Sequence, residues 1–144
     1  PTEEAWQIVH YTGHPHYGPG EQAGYPFLPR ADPNHPPEAI RIDLFAWMLR
    51  KADTRFVFLS SCRSAGQDFI YHLAREHIPA IMGFLWVVRD DRAVDFAKSF
   101  YEHLFTADRR TLENACFEAK KEMHARFPTD PIWASPVLVM QFGA

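Results

Sequence analysis

The sequence has little cysteine, no long apolar run and no excess of basic residues, and each of these absences excludes a class of protein. Two cysteines in 144 residues do not form the disulfide framework of a small secreted domain, and Pro1 to Glu4 lack the basic start of a signal peptide. The longest apolar stretch, Ile78 to Val88, is shorter than the ~18 residues of a membrane span. Fifteen Lys and Arg against 18 Asp and Glu give a net charge of −3, which argues against nucleic-acid binding. We therefore expect a cytoplasmic protein that binds neither a membrane nor, directly, a nucleic acid.

What the sequence does contain is typical of one folded domain. Its hydrophobic share of 47% and aromatic share of 15% supply enough material for a core, and 144 residues fall in the usual range of a single domain. Residues 15–37 hold seven of the twelve prolines and show no periodicity, so they predict a long loop. A loop of this length is uncommon in a compact domain, and we expect it to border a binding cleft or to change conformation on activation.

Apolar runs and helical spacings alternate along the chain. Strands are predicted at Trp6–Thr12, at 39–42 as a brief edge strand, at Arg55–Ser61, at Ile78–Val88 and at Val137–Phe142. Helices are predicted after an Asp43 cap, over Asp68–His77, from Asp90 and from Thr111. This order indicates an α/β fold with a mainly parallel sheet between helices.

Residue spacing also predicts which side of each helix faces the core. The expected inward residues are Leu44, Trp47 and Met48 on the first helix; Phe69, Ile70, Leu73 and Ala74 on the second; Val94, Ala97, Tyr101 and Leu104 on the third; and Leu112, Ala115, Cys116, Ala119 and Met123 on the fourth.

Two residues with catalytic potential follow neighbouring strands. His14 comes after the first strand and Cys62 ends the Arg55–Ser61 strand, and α/β sheets bind ligands beyond the carboxyl ends of such strands. A thiolate next to an imidazole is a strong nucleophile, so a Cys/His dyad is the first hypothesis. The alternative is that Cys62 is a small buried hydrophobic residue.

Other candidate residues have simpler interpretations. His10, His14 and His16 could suggest a zinc site, but their placement within and after a strand does not favour convergence on a metal. His10 is expected to be a core histidine. Cys116 is expected to be structural because it lies on the apolar side of its helix.

Three segments resemble the CHAT family of caspase-like cysteine peptidases. They are His10–His14 (HYTGH), Leu59–Ala65 (LSSCRSA) and Gly83–Asp90 (GFLWVVRD), which occur in the family's order, and the resemblance runs from about Trp6 to Phe142. It implies a caspase-like three-layer α/β/α sandwich, in which this chain supplies strands three to six of the sheet order 2-1-3-4-5-6, the last one antiparallel.

The same resemblance implies that residues 1–144 are the C-terminal part of a single, larger peptidase domain. The missing half would precede Pro1 and cover the apolar edge of the Trp6–Thr12 strand, which would otherwise invite pairing. A regulatory or sensor domain would lie further upstream in the same chain.

The resemblance also assigns residue roles. Cys62 would be the nucleophile and His14 the general acid and base. The oxyanion would be held by the N–H of Cys62 and by that of the residue after His14; this residue is Pro15, which has no N–H, so His16 would replace it. Asp90 and Asp91 would contact a basic substrate side chain, or they simply begin a helix.

The expected function is a cysteine endopeptidase that cleaves a protein substrate in a bacterial regulatory or defence pathway, without metal or organic cofactor. One alternative is a weakly active or inactive caspase-like interaction module, which Pro15 favours. Another is a small-molecule thiol transferase or esterase, which would show a closed pocket rather than an open cleft.

Overall fold

A main sheet of four strands and four α-helices form a layered α/β structure in the computed structural model, which describes residues 7–13, 27–28, 32–60, 69–106, 108 and 111–141. The strands are β1 Ile8–Thr12, β2 Phe27–Leu28, β3 Glu38–Ala39, β4 Phe56–Ser60, β5 Ala80–Phe84 and β6 Pro136–Met140, of which β2 and β3 lie outside the main sheet. The helices are α1 Ile42–Lys51, α2 Phe69–Arg75, α3 Asp90–Thr106 and α4 Leu112–Arg126, with a short 3-10 helix at Pro131–Ala134.

The main sheet has the order β1-β4-β5-β6. Strands β1, β4 and β5 are parallel, and β6 is antiparallel to β5. The four central residues of β4, Phe56 to Leu59, are all buried, as expected for an apolar strand covered on both faces. The α/β prediction is confirmed. The caspase-like six-stranded order and the assignment of these strands to its last four stay predictions.

Helices cover both faces of this sheet. Val57 and Leu59 of β4 pack with α1 and α2 on one face, whereas Phe56 and Phe58 pack with α3 and α4 on the other. The alternation follows from the period of two along a strand. One short strand therefore joins two hydrophobic cores.

Two sharp turns bring α1 and α2 back to the sheet. Each helix is followed by a residue with positive φ, Asp53 (51°) and His77 (63°). The next N–H then bonds back to a helix carbonyl, from Thr54 to Leu49 at 3.0 Å and from Ile78 to Leu73 at 3.4 Å. A hydrogen bond from an N–H to the carbonyl five residues earlier is a common way for a helix to end. It turns the chain directly into β4 after α1 and into β5 after α2.

The predictions for the segment before α1 need correction. The loop predicted over 15–37 contains β2, which pairs antiparallel with β3. The brief strand predicted at 39–42 begins at Glu38 and ends at Ala39, because Ile42 already begins α1. Asp43 is therefore not the cap. It lies in the first helical turn, where its carboxylate pairs with Arg41 at 2.9 Å and suits the positive end of the helix dipole.

The predicted inward side of α1 is wrong. Leu44, Trp47 and Met48 are 46%, 46% and 42% exposed. Apolar residues occur on nearly all sides of this helix, so two sets fit the helical period equally well. The set that packs against the sheet is Ile42, Phe45, Ala46 and Leu49.

The β5 strand ends earlier than predicted. Its last pair is Phe84 with Pro136, the first residue of β6, and the Leu85 N–H then bonds to the Ser135 carbonyl at 2.9 Å. Because the partner strand stops there, Leu85 to Val87 are exposed instead of continuing the sheet.

The predictions for α2 and α4 are confirmed. Phe69, Ile70 and Leu73 of α2 are buried, and Ala74 packs against them. The Thr111 hydroxyl caps α4 by accepting the Asn114 N–H at 3.2 Å, and the predicted inward residues of this helix belong to the core. Of the helices that the structure describes, none has the length and apolar character needed to cross a bilayer.

Candidate active site

A cavity of about 920 Å³ opens at the carboxyl ends of β1, β4 and β5. Thr12, Gly13 and Ser60 border it, and Thr12 and Ser60 are register partners in the parallel β1–β4 pair. Phe84, the last residue of β5, completes this side of the cavity. The cavity therefore lies where α/β sheets bind ligands.

Gly13 allows β1 to end at this edge. A Cβ atom on Gly13 would come within 2.6 Å of the Tyr11 hydroxyl oxygen and 2.9 Å of the ring carbon that bears it. Tyr11 is buried and packs edge-on against Phe45, so moving its ring aside would disturb this packing. The chain therefore needs glycine immediately before His14.

Helix α3 forms the opposite wall of the cavity. Val94, Ala97 and Tyr101, which were predicted to face the core, all line the cavity; Val94 is 54% exposed, whereas Ala97 and Tyr101 are partly buried and also pack against the core. Only Leu104 of the predicted set is buried. The core side of the helix contains Phe96, Ser99, Phe100 and Leu104. Both sets follow helical spacing, so α3 has two apolar sides and the sequence does not tell which one packs on the sheet.

His10 lies on the cavity wall rather than in the core. Its Nδ1 shares a 2.8 Å hydrogen bond with the Tyr101 hydroxyl, and its ring centroid is 4.5 Å from that of Phe58. The prediction of a core histidine is wrong, because His10 remains exposed at the cavity, although Phe58 of β4 and Tyr101 of α3 cover part of its ring. Burial by its neighbours lowers the pKa of His10 and raises the pKa of Tyr101 to about 12. The hydrogen-bonded pair is therefore uncharged at neutral pH.

The two predicted substrate-binding carboxylates have different surroundings. Asp90 lines the cavity and forms no ion pair with another residue that the structure describes. Asp91 pairs with Arg89 at 2.9 Å and with Arg92 at 3.6 Å, and it is not part of the cavity wall. Only Asp90 is placed to meet a ligand there.

The start of α3, which places Asp90, is anchored through Arg92. Its guanidinium contacts Asp130 at 3.1 Å and Asp95 at 3.5 Å, and it stacks over the Phe127 ring at 3.5 Å from the centroid. These contacts tie the first turn of α3 to the segment that leads into β6.

The predicted catalytic residues lie outside the described residues. This applies to Cys62 and His14, and also to His16 and Pro15. The structure instead shows the strand ends that precede them, Gly13 and Ser60, side by side at the cavity. Where residues are described, no three His, Cys, Asp or Glu side chains lie close enough to hold a metal ion.

Cys116 has the structural role expected of it. Its side chain is buried on the core side of α4, and burial raises the pKa of the thiol. A thiol of this kind is a poor nucleophile.

The family model described as the CHAT domain matches residues 2–141 of this chain. A search of curated proteins finds no match.

Proposed function

The chain belongs to the CHAT domain family of caspase-like, protease-related domains, and we propose that it is a cysteine endopeptidase with Cys62 as nucleophile and His14 as general acid and base. The observation that supports this most is the cavity at the paired ends of β1 and β4. Neighbouring strands are about 4.8 Å apart, and one peptide step covers about 3.8 Å. His14 follows Gly13 by one step and Cys62 follows Ser60 by two, so the covalent chain allows both side chains to reach the same cavity.

The proposed reaction passes through a thioester. His14 accepts the thiol proton of Cys62, and the sulfur attacks the carbonyl carbon of the scissile bond. The N–H groups of Cys62 and His16 stabilise the resulting oxyanion. The amine leaves with the proton from His14. Water, deprotonated by the same imidazole, then attacks the thioester and releases the acid and the free thiol.

Asp90 is the carboxylate that we propose for substrate recognition. It faces the cavity without an ion-pair partner among the described residues, so an Arg or Lys side chain of the substrate can form a charge-assisted hydrogen bond with it. Asp91 is already paired with two arginines, and we assign it the helix-start role instead.

The openness of the cavity favours a protein substrate over a small molecule. The exposed side chains of Val94 and Phe105 line it, whereas a transferase or esterase site would enclose its ligand. We propose, as the family implies, that this peptidase acts in the cytoplasm in a bacterial regulatory or defence pathway, with a regulatory domain in the same longer chain. If Pro15 leaves the oxyanion hole incomplete, the domain is instead an interaction module.

The two cysteines of the chain provide a matched test. The intact protein is treated at neutral pH with a thiol-alkylating probe, beside the variants Cys62→Ala and Cys116→Ala. We expect rapid labelling of the native protein and of Cys116→Ala, and none of Cys62→Ala, because the thiol of Cys116 is buried with a raised pKa.

Cleavage of a protein or peptide substrate should follow the same pattern, with activity lost in Cys62→Ala and in His14→Ala. Labelling of Cys62 that is no faster than that of a free thiol, together with no cleavage, would refute the peptidase and favour the interaction module.

A further inference from the structure

We propose that the cavity beside α3 receives an apolar side chain of the substrate next to the scissile bond, so that α3 selects substrates by this side chain. This inference rests on the proposed function: it adds an apolar side chain on one side of the scissile bond to the Arg or Lys side chain that Asp90 would bind on the other.

The wall nearest the strand ends is mainly apolar. Phe84 and Val88 contribute from the β5 side, and Ala93, Val94 and Ala97 contribute from α3. Val94 is half exposed although it lies among these residues. Phe84 and Val88 are already buried, so the favourable free energy of covering apolar surface with a ligand comes from the α3 side chains, above all Val94.

The position of the cavity indicates a substrate as its occupant. It is continuous with Thr12, Gly13 and Ser60, the residues that precede the proposed catalytic pair. A carbonyl group held at Cys62 brings the side chains on either side of the scissile bond to the same edge of the sheet. The cavity volume, about 920 Å³, lies within the range of about 300–1,000 Å³ found for ligand sites, so it has room for a large side chain and part of the backbone.

Charge at the mouth of the cavity agrees with a peptide ligand. Among the described residues, the charged ones on the wall are Asp90, Lys98 and Glu102. They include both signs and lie on α3, whereas the described strand-end residues Thr12, Gly13 and Ser60 carry no charge. An apolar side chain can therefore enter beside Phe84 while polar groups of the peptide face the rim.

Val94 is the position at which this selection can be changed with little effect on folding, because its side chain is exposed. Val94→Trp would narrow the cavity at its α3 wall, and Val94→Thr would keep the shape of the side chain but add a hydroxyl group. Leu44→Trp is the matched control, since Leu44 is a similarly exposed aliphatic residue on α1, across the sheet.

The test uses the intact native protein and peptides that carry Gly, Ala, Leu, Phe, Ser or Asn at each position flanking the cleaved bond. We expect kcat/KM for Leu or Phe peptides to exceed that for Ser or Asn peptides by about tenfold or more. Val94→Trp should remove this advantage while Ala peptides are still cleaved, Val94→Thr should reduce it, and Leu44→Trp should leave it intact. An unchanged profile in Val94→Trp, or an equal loss for every peptide, would overturn the inference.

A binding measurement separates this inference from the proposed function. In Cys62→Ala protein, fluorescence anisotropy should show tighter binding of labelled Leu or Phe peptides than of Ser peptides, and Val94→Trp should abolish the difference. That result without turnover in the native enzyme would refute the peptidase and retain the site. Cleavage without any preference for an apolar side chain would retain the peptidase and overturn the inference about the cavity. If Val94→Cys in the intact protein resists a water-soluble maleimide when no peptide is present, the chain's own residues fill the cavity and the inference is wrong.

Discussion

Replacement of Phe58 by Ala should test the centre of the fold, because this side chain supports the strand that leads to Cys62. Phe58 is fully buried in the middle of β4. Its ring contacts five aromatic rings with centroids 4.5–6.2 Å away: His10, Phe84, Phe96, Phe100 and Tyr101.

The expected loss follows from this packing. Truncation of a buried Phe to Ala typically costs about 3–5 kcal/mol. Aromatic pairs add about 0.5–1.5 kcal/mol each beyond the area that they bury, and rigid rings from β5 and α3 collapse poorly into a void. We therefore expect about 4–5 kcal/mol for Phe58→Ala. At 0.05–0.15 kcal/mol per residue, 144 residues give a total stability of about 7–22 kcal/mol, so the variant should still fold.

Urea denaturation followed by far-ultraviolet circular dichroism measures this loss. With a slope of about 2 kcal/mol per molar urea, the midpoint should fall by about 2 M. Phe117→Ala is the control, since Phe117 is 59% exposed on α4, and it should change stability by less than about 0.5 kcal/mol. A loss below about 2 kcal/mol for Phe58→Ala would refute the view that a tightly packed aromatic cluster holds β4 against α3.

Three further outcomes can be measured. Asp90→Asn should lower kcat/KM for peptides with Arg or Lys beside the cleaved bond by about tenfold or more, whereas Asp91→Asn should not; equal effects of the two would contradict the assignment. The pKa of His10 is lowered in the folded state from 6.5, so the unfolded state binds more protons and stability should fall as pH drops below about 6.5; urea titrations of His10→Gln should show a weaker dependence, and an identical one would refute this. Pro15→Gly should change peptide hydrolysis little, because the His16 N–H serves the oxyanion; a gain of about 10²-fold would show a missing donor.

Sequence reasoning predicted correctly those elements in which only one arrangement of the strand or helix buries the apolar residues. The β4 strand is apolar at every central position and flanked by polar residues, so only a strand buried on both faces accounts for it. On α4, a threonine cap predicted the start, and the apolar residues at helical spacing predicted the inward side, although Phe117 lies exposed on another side. The same reasoning failed on α1, where Trp47 and Phe45 belong to opposite sides and only the position of the sheet decides between them.

At the candidate site, the sequence predicted the edge of the sheet but not the cavity wall. Glycine after an apolar run marked the end of β1 at Gly13, and the cavity opens there. Val94 and Tyr101 were assigned to the core, because apolar residues on a helix usually indicate burial. The sequence did contain a signal for this wall. Phe96 and Phe100 already form an apolar side of α3 that can pack on the sheet, so a second apolar side of the same helix must contact something else. A cavity wall is one such contact.

The strand that leads to His14 should be less stable than the central strand β4, and amide hydrogen exchange can test this. Strand β4 is bonded to β1 on one side and to β5 on the other, whereas no described strand lies beyond β1. Helix α1 packs against one face of β1, but the opposite face, with Ile8, His10 and Thr12, is exposed. Local opening requires less free energy where fewer bonds and contacts are broken.

We therefore expect β1 amides that bond to β4 to exchange at least tenfold faster than β4 amides under native conditions, a difference of about 1.4 kcal/mol in opening free energy. Because Gly13 ends β1, such opening would also displace the residue that follows it and slow the alkylation of Cys62 by disturbing its proposed partner. Exchange of β1 as slow as that of β4 would contradict this reasoning, because it would mean that other residues already cover the edge and the exposed face of the strand.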